Sequence, residues 1–558
     1  MRHSIEDLIT QAIRSATDTG ALPPSIGAVP DVAVERPRDG AHGDWATTVA
    51  LRLSKQLGRP PREIAAAIAA CVPLGRLVAA VEVAGPGFIN LRLTEAALQD
   101  TIRKARAEGA RFGSCDAGGG ETVNVEFVSA NPTGPMHVGH GRWAALGNAL
   151  CNVLAHAGWR VTREFYINDA GSQMELFGHS IALRYRELCG EHIEMPENSY
   201  GGAYVTDIAA RVLQSDGRRW LEVEGEKRDA HFRETGYRLM LEQMHSVCDA
   251  LGTRFDVWFS ERSLYEATEG ESPVSRALAA LKDRGCLYEK DGATWFRTTD
   301  HGDDKDRVLV KADGSFTYFM PDIAYHISKF ERGSSYLVNI WGADHHGYIP
   351  RMQAACAALG QGGRLTVVLG QLVNLFRAGE AVRMSKRAGE LVTFEELVEE
   401  VGPDATKYLM LARSSDQPID FDIEAAKKQD ASNPVYYVQY AHARICSLLR
   451  KAAEEGISPG EIDAADLALL VDASELELAR VFSRLAEVVE GCARDYAPFR
   501  LTHYAEELAT AFHRFYTECH IVGPDRALSA ARLYLADAAR SVLATTLGLL
   551  GVSAPERM

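Results

Sequence analysis

The sequence predicts an α/β protein built on a parallel sheet, with an α+β segment before it and an all-helical segment after it. Three observations carry that expectation. From Thr122 onward, β-branched runs alternate with amphipathic stretches, the pattern of parallel strands joined by crossover helices. A glycine-rich run, RFGSCDAGGGE at 111–121, sets this region off from what precedes it. Beyond residues 414–433, apolar residues recur at helical spacing to the end of the chain.

The elements follow in order. Helical spacing covers 5–16, 45–57 and 62–71, and short strands are expected at 81–83 and Phe88–Leu93 around the turn Gly85-Pro86-Gly87. The sheet strands are expected at 122–128, 161–167, 336–341 and 365–369, with a helix at 143–157 after the first. A polar insertion at 187–306, with its own helices, separates the second strand from the third. A helix follows at Phe394–Val401, and 414–433 reads as a linker. Helical spacing returns at 467–470, 476–485, 504–515 and 533–550. These divisions give three domains, 1–112, 120–413 with the insertion, and 414–558.

Composition narrows the class. The chain of 558 residues is 46% hydrophobic and 24% charged, an ordinary globular balance. No apolar run reaches the roughly 18 residues a membrane span needs. The start MRHSIEDL, with Glu6 and Asp7, resembles neither a signal nor a transit peptide. Ten cysteines are scattered without a C-x-x-C pair, so the expectation is no zinc site and reduced thiols in a cytoplasm. A net charge of −16 speaks against indiscriminate polyanion binding and leaves nucleic-acid recognition to local clusters of Lys and Arg.

The stretch VNVEFVSANPTGPMHVGHGR, 123–142, carries the most chemistry. It runs from a strand through a Pro/Gly loop into a helix start, the place where open α/β sheets bind nucleotide phosphates. His137 and His140 can donate hydrogen bonds to phosphate oxygens, and Gly139 leaves the backbone bare for a flat base. The segment VRMSKR, 382–387, followed by Ala388-Gly389, supplies Lys386 with Arg383 and Arg387 to neutralise a departing pyrophosphate. Each motif alone is a solvated turn; their context beside strands and helices is what points to a nucleotide.

Other residues invite a reading. Glu126 is a carboxylate in an apolar strand, either a ligand for a cationic substrate or a partner for a structural Arg. Tyr318 and Asp322, at i and i+4, share one face of a helical turn, unless Asp322 is a cap after Pro321. Carboxylates are what a guanidinium, a planar five-donor fork, requires. In Asp344-His345-His346 the adjacent histidines point in different directions and no third ligand is evident. A substrate or ribose contact by Gly342 and Asp344 at the end of a strand suits them better than a metal. Tyr437 and Tyr440, with Arg444 following on the same side of a helix, suit stacking on single-stranded RNA bases or packing in a helix core.

The pair HVGH and RMSKR resembles the HIGH and KMSKS signatures of class I aminoacyl-tRNA synthetases, in the same order. EFVSANPTGPMHVGHGR, YFMPDIAYH, IWGADHHGYIPRM, NPVYYVQYAHAR, AHGDWATTVALRLS and AGPGFINLRL together are similar to the arginyl-tRNA synthetases along essentially the whole chain. The departures are Arg383 and Arg387 in place of the first Lys and last Ser of KMSKS, which keep the charge and bear on how the loop closes. The resemblance implies a Rossmann-type catalytic domain with an insertion, an appended N-terminal domain that meets the tRNA elbow, and a helical anticodon-binding domain. It implies that arginine attacks the α-phosphate of ATP, giving arginyl-adenylate and pyrophosphate, and that the arginyl group then moves to the 2′-hydroxyl of the terminal adenosine of tRNA(Arg). By the same resemblance ATP with Mg2+ meets His137, Gly139, His140, Gly342, Met384, Ser385 and Lys386, with His137, His140 and Lys386 catalytic. Glu126, Tyr318 and Asp322 surround the guanidinium, Asn131 and Asp344 lie near the ammonium group, and Tyr437, Tyr440, Arg444 and Met558 meet the anticodon. No zinc, no membrane and a monomer are expected. Two other classes share parts of this pattern. A nucleotidylyltransferase has the strand–HxGH–helix site, and a dinucleotide oxidoreductase would explain the weak GxGxxA match at 139–144. A non-catalytic RNA-binding relative would have lost a signature residue.

Overall fold

The computed structural model describes residues 1–24, 31–37, 39–267, 270–382 and 392–558. At the N-terminus, the helix Arg2–Asp18 and the helices Val49–Leu57 and Pro61–Ala70 cover a sheet of β1 (Trp45–Thr47), β2 (Val78–Ala84) and β3 (Phe88–Leu93), in antiparallel order β1-β3-β2. The helix expected over 45–57 therefore begins only at Val49. Trp45–Thr47 is buried throughout and pairs with Ile89–Leu91, a partner too far along the chain for local spacing to register.

Five parallel strands form the central sheet: β4 (Thr122–Glu126), β5 (Arg160–Ile167), β6 (Val257–Ser260), β10 (Tyr336–Gly342) and β11 (Leu365–Gly370), in the order β11-β10-β4-β5-β6. The first strand stops at Glu126 rather than 128, because Val128 and Ser129 turn to φ values of 68° and 43°. That left-handed backbone is costly for a β-branched residue and is held only where surroundings enforce it. The helix that follows begins at Val138, earlier than expected, and runs to His156. The insertion supplies the helices Ala203–Asp216 and Gly225–Ala250, the unanticipated edge strand β6, and a small antiparallel sheet of β7 (Leu287–Lys290), β8 (Ala293–Phe296) and β9 (Arg307–Val310). With four half-buried residues, β6 carries no periodic signal of its own.

The 414–433 stretch is not a linker. Its strand β14 (Ile419–Asp422) lies parallel to β12 (Val373–Arg377), which also pairs with β13 (Glu380–Ala381). Helices from Pro434–Glu454 through Arg526–Leu549 complete the chain. The helix expected over 476–485 is two, Ala473–Phe482 and Leu485–Asp495, and 467–470 is a single turn. The N-terminal domain is bound to this helical region by Arg480 on Asp44 at 2.8 Å and Arg36 on Glu487 at 2.8 Å. No helix among the described residues is long and apolar enough to cross a membrane.

Candidate active site at the switch point of the sheet

From β4 the chain passes to β5 on one side, whereas β10 and β11 lie on the other. The strand order reverses between β4 and β10, and the crevice outside the carboxyl ends of the strands at such a switch point is the usual ligand position. His137 is the N-cap of the helix Val138–His156 and His140 its third residue, joined in a reciprocal capping arrangement. The His137 backbone N–H donates to His140 Nδ1 at 3.1 Å, which leaves the proton of a neutral His140 on Nε2. The two imidazoles stack with centroids 3.6 Å apart, and Trp143 meets both edge-on. Gly342 and Gly370 admit that indole. A Cβ on Gly370 would lie 2.3 Å from Trp143 Nε1, and one on Gly342 would lie 2.5 Å from Asp344 Oδ1. Gly139 faces the His137 ring, 3.0 Å from where a Cβ would stand.

Arg383, Met384, Ser385, Lys386 and Arg387 lie outside the described residues. The segment after them returns to the histidines, since the Phe394 N–H donates to the carbonyl of Met136 at 3.0 Å. Arg142, buried in the same helix, donates to the carbonyls of Gln371 and Ser414 at 2.8 and 2.9 Å. Burial lowers its pKa to about 10 against the pull of Asp416. This arginine ties the histidine helix to the β11–β12 connection, a role that spacing alone could not reveal. Tyr204, from the insertion, donates to the Thr133 carbonyl at 2.9 Å and closes the Pro/Gly loop from above.

The carboxylates gather at the other end of the crevice. Asp322 is the fourth residue of the helix Phe319–Glu331 and so not a cap; Tyr318 is the N-cap, 84% exposed. Asp322 is half-buried and accepts from the Tyr348 hydroxyl. Burial pushes its pKa up to about 7, Glu261 and Glu126 add to the rise, and the Tyr348 bond and Arg351 oppose it. Glu261, which sequence reasoning missed, is buried beside it, and its pKa is raised by burial against bonds from Tyr166 and Tyr265. Its only sequence signal is a carboxylate directly after β6, a strand that local spacing did not find. A poorly solvated carboxylate whose pKa two others raise suits a desolvated cation. Glu126 already has partners, Lys329 on Oε2 at 2.6 Å and the Ser129 hydroxyl on Oε1 at 3.1 Å. Asn131 is exposed and donates to Gln173, and Asp344 is 80% exposed at its side chain, 3.5 Å from His345.

A second cluster lies far along the chain. On the helix Pro434–Glu454, Tyr436 and Tyr440 stack at 6.0 Å, and Arg444 lies over the rings of Tyr440 and Tyr516 at 4.8 and 4.7 Å. Arg444 also donates to the Tyr440 hydroxyl at 3.2 Å. Tyr437 turns to His513 and Thr510. Tyr440, Arg444 and Met558 line one groove, which the C-terminal residues close.

Three family models match the chain: "tRNA synthetases class I (R), catalytic domain" over 101–446, "Arginyl tRNA synthetase N terminal domain" over 3–93, and "DALR anticodon binding domain" over 438–558. The fold is that of a class I aminoacyl-tRNA synthetase. The arginine–tRNA ligase of Syntrophotalea carbinolica is 47% identical over 100% of both chains, and that of Geobacillus kaustophilus 47% identical over 99% of each. The chain belongs to the arginine–tRNA ligase family, whose members activate arginine with ATP and charge tRNA with it. Among solved structures, a putative arginyl-tRNA synthetase from Campylobacter jejuni superposes with a TM-score of 0.76 at 34% identity, covering 84% of this chain and 100% of that one. The arginyl-tRNA synthetase of Thermus thermophilus shares the fold over 100% of both chains, with a TM-score of 0.78 at 24% identity.

Proposed function

We propose that this chain joins L-arginine to tRNA(Arg) in two steps, with the residues divided between the two ends of the crevice. The observation that carries the reading is Asp322 on the helix Phe319–Glu331, a poorly solvated carboxylate that accepts from Tyr348 and whose pKa Glu261 and Glu126 raise further. The guanidinium sits at Asp322 and Glu261 with Tyr318 and Glu126 alongside, and Asn131 and Asp344 lie near the ammonium group. His137 and His140 hydrogen-bond the phosphates as charge builds on the α-phosphorus, Gly139 and Gly342 admit the adenosine, and Met384, Ser385 and Lys386 meet the departing pyrophosphate. Mg2+ accompanies ATP on its phosphates and waters, which asks for few dedicated protein ligands. The N-terminal domain, 1–112, meets the tRNA elbow, and the groove of Tyr440, Arg444 and Met558, with Tyr437 next to it against His513, receives the anticodon.

The protein works as a monomer in the cytoplasm. Both ends of the crevice come from one chain, and all ten cysteines are free, as suits a reducing compartment. The test is charging of a purified tRNA pool with each labelled amino acid in turn. Arginine alone should be incorporated, and equal incorporation of lysine or citrulline would overturn the assignment of the carboxylate pair.

A further inference from the structure

The helix Phe319–Glu331, which carries Tyr318 and Asp322 at its start, lies over a row of polar residues crossing three strands. Asn339 on β10 is in register with Glu126 on β4, and Glu126 with Glu164 on β5. Three side chains one turn apart, His326, Lys329 and Arg332, reach down to this row. His326 Nδ1–H donates to the Asp322 carbonyl at 2.8 Å, and the Asn339 amide donates to His326 Nε2 at 2.7 Å. Lys329 Nζ donates to Asn339 Oδ1 at 3.1 Å and to Glu126 Oε2 at 2.6 Å, and its ammonium lies 4.3 Å from the centre of the Tyr325 ring. Arg332 forks onto Glu164 with two bonds of 2.8 Å, and Asn124 donates to the same carboxylate at 2.6 Å. Lys329, Asn339, Glu164 and His326 are all buried.

Burying charge in this way rarely adds stability over a well-packed apolar face of the same volume. What a directional chain of hydrogen bonds adds is registry, since an apolar helix face can slide on a sheet and this one cannot. The chain is continuous from the backbone of Asp322 to the carboxylate of Glu126. Every acceptor in it is met by a donor: His326 keeps its proton on Nδ1 and accepts on Nε2, and burial beside Lys329 holds its pKa down at about 4. Glu126 and Asp322 are thus set at a fixed separation by groups that touch neither substrate.

We infer that Lys329 is a positioning residue for the arginine pocket, holding Glu126 from below and, through Asn339 and His326, fixing the turn that presents Asp322. The inference rests on the reading of Asp322 as a guanidinium partner. It predicts a selective defect, because the histidine helix that meets ATP is not part of the row.

The test compares K329M, K329R and H326Q in the full-length protein, after the unmodified protein has been shown to charge tRNA with arginine. A protein that charges another amino acid fails the proposed function before this inference is reached. K329M should raise the arginine KM by about 10-fold to 100-fold, as displacements of about 1 Å do, with the ATP KM within about twofold. K329R, which keeps a donor to Glu126, should recover most of the loss. H326Q, a milder change that still reads the link to Asp322 if K329M fails to fold, should raise the arginine KM by about 3-fold to 10-fold, a fraction of that displacement. An unchanged arginine KM in folded K329M or in H326Q overturns the inference, as does a parallel rise in both KM values that follows the loss of melting temperature.

Discussion

The Tyr348 hydroxyl donates to Oδ2 of Asp322, and among the described residues no other hydrogen bond reaches that carboxylate. A single neutral donor leaves a poorly solvated anion short of partners, which a guanidinium with five donors supplies. Asp322→Asn keeps the size and removes the charge. It should cost arginine about 2–5 kcal/mol of transition-state binding, as for one partner lost from a buried charge pair. Citrulline, almost the same shape without the charge, should lose far less. Steady-state charging with both substrates measures the difference, and equal losses would return Asp322 to a structural role.

The same carboxylate sets a pH dependence. Burial, with the charges of Glu261 and Glu126, raises the Asp322 pKa to about 7, and Tyr348 opposes the rise. Arginine pairs with the ionised form, so its KM should fall as pH rises through about 7 and level off above. For folding the sign is opposite. The raised pKa means that this group's contribution is fully present below its unfolded value and is lost as pH rises through about 7. Asp322→Asn should therefore melt higher than the unmodified protein at pH 8, with a smaller gain at pH 5. A gain that shrank with pH would show that Asp322 is not the group held neutral.

His140 offers a separation of cap from catalysis. Its Nδ1 accepts from the His137 N–H, so a hydrogen bond to phosphate would have to come from Nε2–H. Asn places an amide oxygen near the position of Nδ1 and nothing at Nε2. His140→Asn should melt close to the unmodified protein, whereas His140→Ala should lose about 0.5–2 kcal/mol with the cap. Both should lower kcat by about 100-fold to 1000-fold, the usual loss for one donor aimed at developing charge. Retained turnover in His140→Asn would make His140 a cap and nothing more.

The parts legible in the sequence are those written in adjacent residues. The run 122–128, the HVGH turn and the β10 strand show as local patterns, and with them the switch point that β4 and β10 define. Glu261 was hidden because its strand β6 is four residues of an edge, embedded in a polar insertion whose helices dominate its periodicity. Lys329 was hidden for another reason. A lysine on a helix reads as solvated until the fold brings Glu126, from about 200 residues earlier, under it. A shorter separation, 46 residues from Asn374 to Asp420, concealed the strand β14, whose partner β12 lies on the far side of the second signature.

The groove at the chain's end gives the last test. Arg444 is held over the rings of Tyr440 and Tyr516 and hydrogen-bonded to the Tyr440 hydroxyl and His513. Burial and the Arg444 charge hold the His513 pKa down at about 4, so the cluster carries one positive charge near neutral pH. A cation fixed against the half-buried Tyr440 ring and the exposed Tyr516 ring suits a splayed base with its phosphate better than a bare core does. Tyr440→Ala should weaken tRNA binding by about 1–3 kcal/mol if the ring stacks on a base. Tyr440→Phe keeps the ring, loses only the bond to Arg444, and should bind nearly as well. Arg444→Ala should lower the salt dependence of binding by about one unit of slope, the signature of a lost phosphate contact. Filter binding of the tRNA over a salt series reads all three. Unchanged affinity in a folded Tyr440→Ala protein would place the ring in helix packing, stacked on Tyr436 and closed to RNA.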